Sequence, residues 1–172
     1  MAISSSDVKE LRERSGAGML ECKKALEDAG GDLNKAMEAL KKKGHELAEK
    51  RGERETAEGA VHAYIHHNQR VGALVEVNCE SDFVARTEDF KNLVAAVALQ
   101  VAGKPDTKYV AKDEVEKDEE GDPKDVVLLE QPYIKDESIT IGEMVRDTIA
   151  KTGENIRIKR FARFDLGQKP QA

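Results

Sequence analysis

Ala60-Val61-His62-Ala63-Tyr64-Ile65-His66-His67-Asn68-Gln69-Arg70-Val71-Gly72-Ala73-Leu74-Val75-Glu76-Val77-Asn78 is the stretch that decides the fold. Val61, Ala63 and Ile65 alternate with His62, Tyr64 and His66, the period of two that a half-buried strand requires. His67-Asn68-Gln69-Arg70 has the composition of a turn. On the return arm Val71, Ala73, Val75 and Val77 share one face, which predicts an antiparallel hairpin. Just downstream, Thr87 is placed to cap a helix. Phe90, Leu93, Val94, Val97, Ala98 and Val101 form its apolar stripe, and Gly103 and Pro105 stop it.

Further along, Val126-Val127-Leu128-Leu129 is an apolar run of ambiguous type. Thr140 to Lys151 reads as a helix through Ile141, Met144, Val145 and Ile149, ended by Gly153. Asn155 to Leu166 reads as a last strand that turns Ile156, Ile158, Ala162 and Phe164 inward and Arg157, Lys159, Phe161 and Arg163 outward. The expected assembly is α+β, a helix-flanked antiparallel sheet of about three strands.

Upstream, three short helices are expected. Ser6 is read as the cap of the first, with Val8 and Leu11 on its buried face and Gly16 and Gly18 interrupting it. Met19, Cys22, Ala25, Leu26 and Ala29 make the stripe of the second, which Gly30-Gly31 ends. Asp32 starts the third through Leu33, Ala36, Met37 and Leu40, and Gly44 is read as its end. Glu46 to Glu58 is charged, lacks apolar periodicity and reads as a linker, with helix near its start as the alternative. The chain thus divides into residues 1–50, a three-helix module with the start of the linker, and residues 51–172, an α+β core with an acidic loop at about 112–125.

Composition narrows the function. Of 172 residues, 39% are hydrophobic and 36% charged, against ordinary values of about 45–50% and about 25%. The net charge of −6 disfavours a generic affinity for nucleic acid or anionic membrane. Eight acids against three lysines in residues 112–125 account for most of that imbalance, in a stretch that reads as an exposed loop or frayed helix. No run approaches the roughly 20 apolar residues of a membrane span. Met1–Asp7 lacks a basic region followed by an apolar one, so no export signal is expected. Cys22 and Cys79 form no CxxC pair and read as reduced thiols of a cytoplasmic protein.

Catalytic and metal patterns are missing. His62, His66 and His67 lack the convergent spacing and paired cysteines of a zinc site, so no metal is expected. Neither a phosphate-binding G-x-x-x-x-G-K-[ST] nor a G-x-S-x-G elbow occurs. Arg157, Lys159, Arg160 and Arg163 with Phe161 offer a basic track but too few stacking aromatics for single-stranded nucleic acid.

Asn78-Cys79-Glu80-Ser81-Asp82-Phe83-Val84-Ala85-Arg86 differs in kind, because a loop here carries an aromatic directly after acidic and polar residues. Spacing alone favours Phe83 and Val84 tucked under the following helix. The alternative is an aromatic anchor presented beside a carboxylate, the residue mix of a protein-binding hot spot.

Leu11-Arg12-Glu13-Arg14-Ser15-Gly16-Ala17-Gly18-Met19, Cys22-Lys23-Lys24-Ala25-Leu26, Glu76-Val77-Asn78-Cys79-Glu80-Ser81-Asp82-Phe83-Val84-Ala85 and Gly153-Glu154-Asn155-Ile156 together resemble the elongation factor Ts family, in order and over essentially the whole chain. The resemblance implies that residues 1–50 form a ubiquitin-associated-like helical module. It also implies guanine-nucleotide exchange on elongation factor Tu, GDP-bound and nucleotide-free, without covalent catalysis or a cofactor. By the same resemblance, Ser81, Asp82, Phe83 and Val84 enter the partner's GTPase domain and dislodge its Mg²⁺, allowing GTP to bind again. Arg12, Met19 and Leu20 are implied to contact that domain. Neither nucleic acid nor membrane is implied as a direct partner, and a homodimer or a 2:2 complex stays open. Ser81 stands where the family usually has Thr, and Leu20 where a second Met is common. The chain resembles the compact members, in some of which a Cys of the last strand links a dimer. Ala162 occupies that place here.

Overall fold

A computed structural model describes residues 3–168; Met1, Ala2 and residues 169–172 lie outside the described residues. Three helices open it: α1 (Ser5–Ser15), α2 (Met19–Asp28) and α3 (Leu33–Arg51). Val8, Leu11, Cys22, Ala25, Leu26 and Ala36, drawn from the stripes seen in the sequence, close into one apolar cluster. The cap of α1 is Ser4 rather than Ser6: its hydroxyl accepts the Asp7 N–H at 3.1 Å, and Ser6 is already helical. Asp32 caps α3 as expected, accepting from the N–H groups of Asn34 and Lys35.

Gly44 does not end the third helix. α3 continues through it to Arg51, taking up the first part of the expected linker, and Ala48 joins the main core. A glycine ends a helix where the chain must turn left-handed. Here it stays helical and serves a close packing contact with Ala150 instead.

The hairpin follows as β1 (Glu58–Ile65) and β2 (Val71–Cys79), then a single turn of helix, α4 (Asp82–Ala85), and α5 (Glu88–Gly103). Antiparallel pairing sets Tyr64 opposite Ala73, His62 opposite Val75 and Ala60 opposite Val77. Ala73, Val75 and Val77 are buried, so that face meets the helices. Phe90, Leu93, Val94, Val97 and Val101 of α5 pack with it in the main core, and the Thr87 hydroxyl caps α5 by accepting the Phe90 N–H at 3.3 Å. Val61, Ala63 and Ile65 therefore lie on the outward face, opposite Glu76, Leu74 and Gly72.

Between α5 and the next long helix the chain makes α6 (Pro123–Val126), then β3 (Pro132–Tyr133) paired with β4 (Asp136–Thr140), and α7 (Ile141–Thr152). Thr140 and Glu143 form a reciprocal capping box at the start of α7. The acidic stretch is largely exposed, yet three of its carboxylates are tied down, Asp122 by capping α6 through the Lys124 N–H at 2.9 Å. Glu114 accepts the Val110 N–H at 2.9 Å, and Glu119 takes Lys108 Nζ at 2.8 Å and the Tyr109 hydroxyl at 3.3 Å. Among the described residues, no helix is long and apolar enough to cross a membrane.

The last strand, β5 (Ile156–Asp165), pairs with β2 to complete a three-stranded antiparallel sheet in the order β1-β2-β5. Its orientation departs from the expected alternation. Val77 faces Ile158 and Glu76 faces Arg160, so Lys159 is an extra, bulged residue. One inserted residue moves every following side chain to the other face. Ala162 and Phe164 consequently face outward, while Phe161 packs against the core and Arg163 is buried. Arg163 Nε donates to the Ala102 carbonyl at 3.2 Å and Nη2 meets Asp165 at 3.1 Å. The expected basic track is thereby broken.

Candidate partner-binding site

The segment after β2 is built around Ser81. Its hydroxyl caps α4, accepting the Val84 N–H at 3.3 Å, and donates to Glu154 Oε1 at 2.6 Å. The Ser81 N–H donates to the other oxygen of the same carboxylate at 2.9 Å. Cys79 sits beneath, its thiol donating to the Ser81 carbonyl at 3.1 Å. Burial, then the Glu154 charge, push that thiol up to about 11, so it stays protonated.

Neighbouring groups complete the anchor. Glu80 Oε1 accepts the Asn155 N–H at 2.6 Å, and Glu80 Oε2 lies 3.4 Å from Arg54 Nη1. Asn155, itself buried, donates Nδ2 to the Arg54 carbonyl at 2.8 Å. Three separate segments (the turn after α3, the turn after β2 and the turn before β5) therefore meet around these side chains. Sequence periodicity gave no sign of Glu80, Glu154 or Asn155 in this role. The available signal was a left-handed glycine, Gly153, followed by two polar residues before a strand.

On this anchored turn Val84 is buried and Phe83 is 77% exposed. Successive residues of a helix point about 100° apart, so the turn cannot bury both. Phe83 does not tuck under α5 as spacing favours; Val84 does. Asp82 is also exposed, with Arg86 Nη2 at 2.7 Å from its carboxylate. A pair this open to solvent contributes about 0–1 kcal/mol, so the Asp82 carboxylate is easily redirected.

The second group of candidate residues lies on the amino-terminal helices. Met19 is 51% and Leu20 83% exposed, and Arg12 is exposed with no ion pair among the described residues. Gly16 ends α1 with φ 69°, and the stem of Lys151 lies under it; a Cβ there would stand 2.9 Å from Lys151 Cγ. Lys151 Nζ reaches Asp89 in the first turn of α5 at 3.3 Å. One lysine thus bridges the loop before α2 and the helix that follows Phe83.

His66 and His67 of the hairpin make local ring contacts. The Tyr64 hydroxyl and His66 Nδ1 are 3.1 Å apart, and the His66 and His67 rings lie 4.2 Å apart. Among the described residues, no three His, Cys, Asp or Glu side chains are grouped to hold a metal ion.

The family model for elongation factor TS matches residues 80–171, beginning at the anchored turn. An elongation factor Ts of Synechococcus sp. is 47% identical, with 98% of this chain and 77% of that protein aligned. The elongation factor Ts of Coprothermobacter proteolyticus is 46% identical over 98% of this chain and 100% of that protein. That of Moorella thermoacetica is 45% identical over 96% of each.

The chain belongs to the elongation factor Ts family.

It is therefore a translation elongation factor. Of the elongation factor Ts residues expected from sequence, Ser81, Asp82, Phe83 and Val84 come together on one helical turn, and Val84 alone among them is buried. Arg12, Met19 and Leu20 lie on α1 and α2, a separate part of this elongation factor Ts fold, and Lys151 links the Gly16 loop between those helices to the first turn of α5.

Proposed function

We propose that this chain binds elongation factor Tu, GDP-bound and nucleotide-free, and accelerates GDP release by inserting the Ser81-Asp82-Phe83-Val84 turn. Phe83 enters the partner's GTPase domain with Asp82 beside it, displaces the Mg²⁺ that holds GDP, and so frees the site for GTP. Arg12, Met19 and Leu20 contact the same domain. The single observation carrying this reading is an aromatic side chain, 77% exposed, on a turn fixed to the core by Ser81 and Val84. A soluble fold gains nothing from exposing Phe there, whereas an interface anchor must be exposed and held in place before binding.

No bond is made or broken by this chain; its work is a coupling free energy. A factor that prefers nucleotide-free partner weakens GDP binding by the same factor that GDP weakens its own binding. The reading places the chain in the cytoplasm, where translation proceeds, without direct contact to nucleic acid or membrane. Inward-facing Phe161 and Arg163 support leaving nucleic acid out. Release of labelled GDP from elongation factor Tu, with and without this protein, tests the reading; an unchanged rate rejects it.

A second copy of this chain is the occupant we propose for the outward face of the sheet. Val61, Ile65, Leu74, Phe164 and Leu166 are exposed there, on or next to three adjacent strands. A two-fold axis sets a patch against itself, which suits this apolar cluster, with the Glu76–Arg160 ion pair standing beside it on the same face. Sedimentation of the protein with and without Leu74→Glu distinguishes a homodimer, or a 2:2 complex with the partner, from a monomer.

A further inference from the structure

The geometry points to Glu154 as the positioning residue that holds the insertion turn ready, acting through the Ser81 hydroxyl. This inference rests on the exchange reading above. It assigns to a residue 73 positions away in the chain the task of aiming Phe83.

Four residues of helix cannot hold their own shape, because the nucleating turn costs more than one hydrogen bond returns. α4 (Asp82–Ala85) is such a helix. Its order must come from its flanks. On the amino-terminal side everything converges on Ser81, whose N–H and O–H both end on the Glu154 carboxylate, at 2.9 Å and 2.6 Å. Two charge-assisted bonds to one carboxylate fix both position and orientation. They also settle where the hydroxyl proton points. With that proton given to Glu154, the oxygen lone pairs are left for the Val84 N–H, 3.3 Å away, which is the bond that starts the turn. Glu154 in turn follows Gly153, the left-handed end of α7, and precedes Asn155, whose N–H is held by Glu80. The carboxylate is therefore delivered from a fixed point of the core, not from a free loop.

Removal of Glu154 leaves Phe83 attached but not aimed. The surface of Arg12, Met19 and Leu20 is untouched, so docking persists while insertion suffers. The affected quantity is the GDP-release rate at saturating factor, more than the concentration needed to saturate.

The test measures catalysed GDP release from elongation factor Tu against factor concentration for the full chain and its Glu154→Ala, Glu154→Gln, Ser81→Ala and Phe83→Ala variants. Glu154→Ala should lower the saturating rate by about tenfold to a hundredfold, the scale of a misplaced reacting group, with half-saturation moving less than about threefold. Glu154→Gln should recover most of the rate, since its amide accepts the Ser81 N–H and donates to the Ser81 oxygen. Glu154→Ala placed on Phe83→Ala should add less than about twofold, because the two act through one side chain. Should Glu154→Ala fail to fold, Ser81→Ala removes the hydroxyl bonds to Glu154 and to the Val84 N–H while keeping the backbone bond, and should lower the saturating rate in the same direction. A normal saturating rate in Glu154→Ala, or a full additional loss on top of Phe83→Ala, overturns the positioning role. A normal rate in Phe83→Ala overturns the exchange reading itself.

Discussion

Gly44 of α3 and Ala150 of α7 cross so closely that a Cβ built on Gly44 would stand 2.6 Å from the Ala150 Cβ. Around this crossing His45 Nε2 meets Asp147 Oδ1 at 2.7 Å, and Lys41 lies 3.9 Å from both Glu143 and Asp147. The seam joins the amino-terminal helices to the core.

Gly44→Ala should destabilise the protein by about 1–3 kcal/mol through overpacking, even though Ala is the better helix former by about 1 kcal/mol. Thermal unfolding reads the balance. A melting temperature equal to or above that of the parent would mean that the helices separate freely.

Deletion of residues 1–50 removes that seam and takes Ala48 from the main core. We expect the remaining α+β core, proposed as its own folding unit, to stay folded with a lower melting temperature. It should bind elongation factor Tu more weakly, having lost Arg12, Met19 and Leu20. Binding as tight as that of the full chain would remove the contact role of those three residues.

Phe83→Ala should cost less than about 0.5 kcal/mol of stability, as exposed positions do, and slow catalysed GDP release about thirtyfold. Asp82→Ala should also slow release. Paired unfolding and release measurements separate this from a core role, for which truncation would cost about 3–5 kcal/mol.

Acid should weaken the start of α7. The Thr140 N–H holds the Glu143 carboxyl below its ordinary value of 4.5, helped by the nearby Lys41 charge. A folded pKa below the unfolded one means full stabilisation above the ordinary carboxylate range, lost as pH falls through it towards the folded value. Glu143→Gln keeps an acceptor for the capping box, so it should cost about 0.5 kcal/mol at neutral pH and flatten the decline below pH 4.5. An unchanged acid limb in melting curves would exclude Glu143 as a contributor.

Thiol labelling should be slow in the native protein. Cys22 and Cys79 are both fully buried, and the Cys79 thiol is pushed up to about 11. Neither should react with an aromatic disulfide reagent at pH 8 until denaturant unfolds the chain. Fast labelling of one equivalent would reveal local opening around α4 or α2.

The sequence made the hairpin, α5 and α7 legible, because alternation from Ala60 to Val77 and the stripes through Phe90 and Ile141 are uninterrupted. Besides the cap of α1, which falls on Ser4 instead of Ser6, three readings failed for physical reasons. Gly44 has the look of a helix end, but tertiary packing supplies a different need for a small residue. Lys159 looks like any strand position, although the bulge there inverts everything after it. Phe83 and Val84 are adjacent and apolar, and only the cap at Ser81 decides which one turns inward. Pairing of Pro132–Tyr133 with Asp136–Thr140 is too short to leave a periodic trace. The Ser81–Val84 turn is recognisable from its residues, whereas the Glu154 carboxylate that holds it comes from a segment 73 positions away, and no periodicity links the two.

The bulge at Lys159 gives β5 two reading frames. Before it, Ile156 and Ile158 point inward; beyond it, Phe161 and Arg163 do. Were Lys159 drawn into regular pairing instead, Phe164 would turn into the core and Arg163, with its bond to the Ala102 carbonyl, would turn to solvent. The outward residues Ala162 and Phe164 can therefore vary with whatever covers the sheet, while the inward ones answer to α5 and α7. One strand in this way carries two independently adjustable surfaces, and the extra residue is what keeps them in separate registers.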